Sequence, residues 1–191
     1  MVLDSERVPL AAIAYQRGFD VDGLLLASCA ELRSRGLRVG GVIQSSSGDP
    51  AHCSSQIHVV DLRSGEAFNI WEDRGSCSRG CRLDERGLID AELSIMRSLA
   101  DGADLIVINR FGRAESLGRG LLGCFMAAVE SGVPVVTAVR PPYEEAWRAF
   151  HGGCAHTLVP EIPRVIDWVT TVSTDRLSRR AGAMRVLQSS V

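Results

Sequence analysis

The sequence predicts a three-layer α/β fold: a mostly parallel, doubly wound sheet with a β-hairpin as an insertion or antiparallel edge. Three observations predict it. Apolar runs of strand length recur at Val8–Tyr15, Leu37–Gln44, Ala103–Asn109 and Val133–Val139. Segments whose apolar residues repeat at helical spacing separate them, and such alternation requires crossover connections, hence parallel strands covered on both faces. The third observation is a turn, Arg63-Ser64-Gly65-Glu66, flanked by Gln56–Leu62 and Ala67–Trp71, which reads as a hairpin.

Taken in order, Val8–Tyr15 is nearly continuous in apolar residues, as a strand buried on both faces must be. The stretch "YQRGFDVDGLL" leads into Leu24, Leu25, Ala27, Ala30 and Leu32 at helical spacing. Asp22 is placed to cap that helix, and Gly36 follows its last turn. Leu37–Gln44 is the second strand, and a polar segment then runs to the hairpin. Beyond a loop holding Cys77 and Cys81, Asp84 caps a predicted helix through Leu99, with Gly102 as its stop. Ala103–Asn109 is the clearest buried strand. A Gly/Arg-rich loop and a helix over Leu121–Ser131 follow it. Val133–Val139 is a strand, Pro141-Pro142 opens a short helix through Trp147 and Phe150, Ala155–Val159 is a short strand, and Ile162–Val172 a final helix. One domain over residues 1–172 is expected, with the hairpin insertion at about 53–83 and an Arg-rich tail over 173–191.

Composition narrows the function classes. A formal net charge of −2 over 191 residues gives no bulk attraction to nucleic acid. No apolar run is long enough to span a bilayer, and Met1–Arg7 lacks the layout of an export signal, so a cytoplasmic protein with reduced thiols is expected. All 21 basic residues are arginine. A chain without lysine has no Schiff-base lysine, no lysine base and no phosphate-loop lysine.

In a sheet of this kind ligands sit beyond the carboxyl ends of the strands, where loops and helix N-termini bring unpaired amides together. Those ends carry Tyr15, Gln16 and Arg17; Gln44; Asn109, Arg110, Arg113, Glu115 and Arg119; and Arg140. The arginines and the helix N-termini favour an anion with several oxygens, while Asp20, Asp22 and Glu115 oppose that charge. Two readings stand at this point: a ligand site, or surface ion pairs that each contribute little. Gly18 and Gly23 have the spacing of Gly-x-x-x-x-Gly-Lys-Ser/Thr, yet Leu24 and Leu25 occupy the lysine and hydroxyl positions. Asp22 reads as a helix cap, or alternatively as a metal ligand. Glu115 is a candidate general base toward a bound water.

The segments "AYQRGFDVDGLLLASCAELRSRGLRVGGVIQ", "GCRLDERGL", "DLIVINRFGRAESLGRGL" and "GVPVVTAVRPPYEEAWRAF" resemble, in this order, the bacterial domain-of-unknown-function family 2478 over about residues 8–160. That resemblance implies a P-loop-like fold, a distant relationship to the cancer-related nucleoside triphosphatases, and a setting beside molybdenum uptake. In those enzymes a strand ending in acidic residues, followed by Gly and Glu, holds metal and water. The matching segment here is Asn109-Arg110-Phe111-Gly112-Arg113-Ala114-Glu115, with Asn109 in place of an acid and Glu115 keeping the later carboxylate.

Six cysteines are too few for a disulfide scaffold. Cys29 and Cys124 fall in predicted helices as core fillers. Cys53, Cys77 and Cys81 lie in loops, as candidate ligands of one metal ion or as packed or exposed thiols, and lack the tight pairs of structural zinc sites. His151 and His156 read as structural. The expected function is therefore an anion-binding accessory protein for a nucleotide or an oxyanion such as molybdate. Gln16, Arg17, Gly18, Asp22, Gly23, Gln44, Asn109, Arg110, Arg113, Arg119 and Arg140 would bind the small anionic ligand. The alternatives are an active nucleoside triphosphatase with a non-standard phosphate loop, and a cysteine-based metal or redox module. A homodimer is compatible with the tail.

Overall fold

The computed structural model describes residues 9–47, 56–72, 82–83 and 85–174. Strand β1 (Leu10–Ala14) leads into helix α1 (Val21–Ser34) and strand β2 (Val39–Ser47). The hairpin follows as β3 (Gln56–Asp61) and β4 (Ala67–Asn69), then the short pair β5 (Trp71–Glu72) and β6 (Arg82–Leu83). Helix α2 (Glu85–Ala100), β7 (Leu105–Ile108), α3 (Arg113–Ser116), α4 (Leu122–Glu130), β8 (Val135–Val139), α5 (Glu144–His151) and β9 (His156–Leu158) complete the numbered elements. A last helix, α6, runs over 162–174.

The main sheet has seven strands in the order β4-β3-β2-β7-β8-β1-β9. Strands β2, β7, β8, β1 and β9 are mutually parallel, while β3 runs antiparallel to β2 and β4 to β3. This is the predicted mostly parallel α/β sheet with an antiparallel edge. The expected strand over Ala67–Trp71 is interrupted at Ile70, because Trp71 and Glu72 leave β3 to pair with Leu83 and Arg82. The first turn of α2 packs at the break, so closely that a Cβ on Gly87 would lie 1.8 Å from the Asn69 carbonyl oxygen.

Period-two alternation explains the layers. In β7, Ile106 and Ile108 face one core while Leu105 and Val107 face the other; in β8, Val135 and Val139 oppose Val136 and Ala138 in the same way. The first core takes Ala91 and Ile95 of α2, Cys124, Phe125 and Ala128 of α4, and Trp147 of α5. The second takes Val21, Leu24, Leu25, Cys29 and Leu32 of α1 and Val165, Ile166 and Val169 of α6. Burial pushes the thiols of Cys29 and Cys124 up to about 11 and about 12, with neighbouring Arg33 and Glu92 acting secondarily, so both are packed thiols, as their helical positions predict.

Gly41 fixes how tightly β2 meets β7. It pairs with Val107 at a φ of +108°, and a Cβ there would stand 2.0 Å from the Val107 carbonyl oxygen. Only glycine adopts this conformation without strain.

His151 is structural, as predicted. Its Nδ1 accepts hydrogen bonds from the amides of Gly153 (3.0 Å) and Ala155 (3.2 Å), which ties the end of α5 to the approach of β9. Burial holds its pKa below the ordinary value, with Arg148 adding to the effect. A depressed folded-state value means that the unfolded chain binds more protons, so stability is full above about pH 6.5 and falls as the pH drops toward the folded value. The thermal midpoint is expected to decline between pH 7 and 5, and to decline less steeply in His151→Asn; equal slopes in the two proteins would contradict this role.

Candidate functional site

The strand ends deliver their side chains as the topology requires. Tyr15 extends the β1 ladder by donating its amide to Val139 O at 3.1 Å, and Asn109 extends β7 through Val42 O at 3.2 Å. Phe111 donates to Ala138 O at 3.0 Å, and its ring is fully buried among Trp147, Phe150 and Phe125 at centroid distances of 5.1, 5.7 and 6.3 Å. This aromatic anchor sets where Arg110 can point.

The structure moves the helix cap. Asp22, the predicted cap of α1, lies inside the helix, and Asp20 is the cap, accepting from the Gly23 amide at 2.9 Å. The reason is Val21: fully buried, it draws the first turn into the core and starts the helix two residues early. Asp22 then turns to the strand ends. Asn109 Nδ2 donates to its Oδ1 at 2.5 Å, and Arg110 Nη2 to its Oδ2 at 2.6 Å. The Arg110 guanidinium also lies 5.7 Å from the centroid of the Tyr15 ring, a cation–π contact that reaches across the end of β8.

Three buried polar atoms at this edge have no hydrogen-bond partner: Tyr15 Oη, Asn109 Oδ1 and Arg110 Nε. Tyr15 is 5% exposed and Asn109 4%. Because Asp22 can only accept, it fixes the Asn109 amide and leaves Oδ1 as the unfilled acceptor. Burial raises the Tyr15 pKa against the opposing pull of Arg110 and Arg140, so the phenol stays protonated at neutral pH as a hydrogen-bond donor. An unfilled buried polar atom costs about 1–3 kcal/mol, which makes three in one place a sign of a ligand.

Of the other predicted residues, Arg140 is half-buried at the end of β8, donates to Pro141 O at 3.1 Å and lies over Tyr143 at 5.9 Å. Gln16, Arg17 and Gly18 are exposed in the loop before α1, and Gln44 is half-buried two residues past the last β2–β7 pair, on the β2–β3 side. Arg113 and Arg119 are exposed on the loop around α3. Glu115 braces that loop: its Oε2 accepts from Gly112 N at 3.0 Å and its Oε1 from Leu121 N at 3.1 Å. Each carboxylate oxygen thus takes one main-chain amide, which fixes the carboxylate on the loop. Cys53, Cys77 and Cys81 lie outside the described residues, among which no group of three His, Cys, Asp or Glu could hold a metal ion. No helix among the described residues is long and apolar enough to cross a membrane.

The model of the family described as "Protein of unknown function (DUF2478)" matches residues 10–168. The chain belongs to the DUF2478 family. One relative of this DUF2478 chain is the molybdenum import ATP-binding protein ModC 2 of Bradyrhizobium diazoefficiens, 37% identical over 166 residues. That match takes 87% of the present chain but 18% of the relative, so the chain spans less than a fifth of the curated protein it resembles. The solution structure of a human cancer-related nucleoside triphosphatase superposes with a TM-score of 0.59 at 16% identity, covering 84% of this chain and 98% of that one. At that identity the likeness speaks for the fold, which is α/β and P-loop-like.

Proposed function

We propose that this DUF2478 chain is an anion-binding accessory protein on a P-loop-like core, taking a nucleotide or an oxyanion such as molybdate, and serving molybdenum metabolism. The observation that carries the reading is the set of unpartnered buried atoms on Tyr15, Asn109 and Arg110 at the edge where α/β sheets hold ligands. Arg17 and Arg140 stand at the same edge and supply guanidinium forks suited to oxyanions. With no lysine in the chain and no Gly-x-x-x-x-Gly-Lys-Ser/Thr word, anion neutralisation falls to arginine. The 37% identity to a molybdenum import ATP-binding protein supports the molybdenum setting.

Thermal unfolding in the presence of ATP, GTP, molybdate, tungstate, sulfate or phosphate tests this. A ligand at a hundred times its Kd adds about 2.7 kcal/mol, which raises the midpoint of a chain this size by about 5–10 °C. At least one of these anions is expected to give such a rise, weaker at high salt and lost in Arg110→Ala. No rise with any of them would remove the basis of the proposal.

A further inference from the structure

The anion seats at this edge are not vacant. A helix N-terminus in a P-loop-like fold offers its first amides to phosphate. Here the amide of Gly23 is held by the Asp20 carboxylate, and a Cβ on Gly23 would come within 2.3 Å of Asp20 Oδ2, so Asp20 fills the space directly over the first turn of the fourteen-residue α1. The guanidinium face that would meet a second phosphate is filled as well, since Arg110 Nη2 is bound to Asp22. Two carboxylates two residues apart therefore stand where a polyphosphate chain would lie. Like charge at both positions opposes any ligand that carries several negative charges in a row.

A second set of groups at this edge is left unfilled. Asn109 Oδ1 and Arg110 Nε are buried and unpartnered, and the buried Tyr15 hydroxyl, toward which the Arg140 guanidinium can donate, has no acceptor for its own proton. Two donors, one acceptor and a nearby guanidinium suit one compact group that both accepts and donates hydrogen bonds.

Resting on the function proposed above, we infer that Asp20 and Asp22 set the ligand class: the edge takes a compact tetrahedral oxyanion that keeps a proton for Asn109 Oδ1, as hydrogen phosphate does, at Tyr15, Asn109, Arg110 and Arg140, and rejects nucleoside polyphosphates. Asp20 rejects them at the helix amides, and Asp22 rejects them at the Arg110 fork. Asp22 at the same time holds the Asn109 amide so that Oδ1 faces the ligand.

Calorimetric titration of the whole chain with phosphate, sulfate, molybdate and ATP, each alone, provides the test. The wild type is expected to bind phosphate about tenfold or more tighter than ATP. Sulfate and molybdate, which carry no proton at neutral pH, are expected to bind more weakly than phosphate, and a wild type that prefers either of them overturns the part given to Asn109 Oδ1. Asp20→Gly, which opens the seat at little cost to the cap, is expected to narrow that ratio by about tenfold through tighter ATP binding. Asp20→Asn keeps the cap hydrogen bond without the charge, and is expected to narrow it by a smaller factor. A wild type that prefers ATP overturns the inference while leaving the anion site in place, and so does a ratio that neither Asp20 variant changes while both stay folded by circular dichroism. A wild type that binds none of the four overturns both.

Discussion

Replacing Phe111 by alanine is expected to lower stability by about 4 kcal/mol and to weaken anion binding by about tenfold. The stability term follows from burial: the ring is 2% exposed and sits edge-on to Trp147 and Phe125, so truncation leaves a cavity walled by aromatic side chains that cannot collapse into it. The binding term follows from position. Phe111 is the residue after Arg110, and its packing fixes the guanidinium between Asp22 and the Tyr15 ring. Urea denaturation and calorimetry on the same preparation measure both. A large loss of stability with unchanged affinity would show that Arg110 finds its place without the anchor, and would separate the core from the site.

Gly41→Ala is expected to be similarly costly, at about 4 kcal/mol, from two sources that act together. A side chain at a φ of +108° is strained by about 1–3 kcal/mol, and the new methyl group would press on the Val107 carbonyl and amide, a backbone contact that no rotamer change relieves. The strain falls on the β2–β7 pairing, which joins β2 and the hairpin to the other four parallel strands. Denaturation should show a lower midpoint, and hydrogen exchange should show faster loss of protection in β2 and β3 than in β1 and β8. Wild-type stability in this variant would mean that the two strands can move apart at no cost.

The layers were legible in the sequence because a buried parallel strand needs apolar residues on both faces, and Leu105, Ile106, Val107 and Ile108 supply them without interruption. The hairpin was legible from its turn chemistry. The edge residues Asn109, Arg110 and Arg140 followed from the strand ends alone, since the topology rule places them before any contact is known. The division of labour between Asp20 and Asp22 was not legible. Either aspartate satisfies the local pattern of a cap, and the choice is made by the burial of Val21, a tertiary effect. The partnership of Asp22 with Arg110 joins positions 88 residues apart, and nothing in the local pattern of either segment encodes it. Glu115 was legible as a loop carboxylate, but its commitment to the Gly112 and Leu121 amides appears only when the loop closes on itself.

The outermost strands of the main sheet, β4 and β9, are three residues each. An open rim this short offers a passing chain too few free main-chain groups to zip onto, which discourages runaway stacking into fibrils when the protein is crowded.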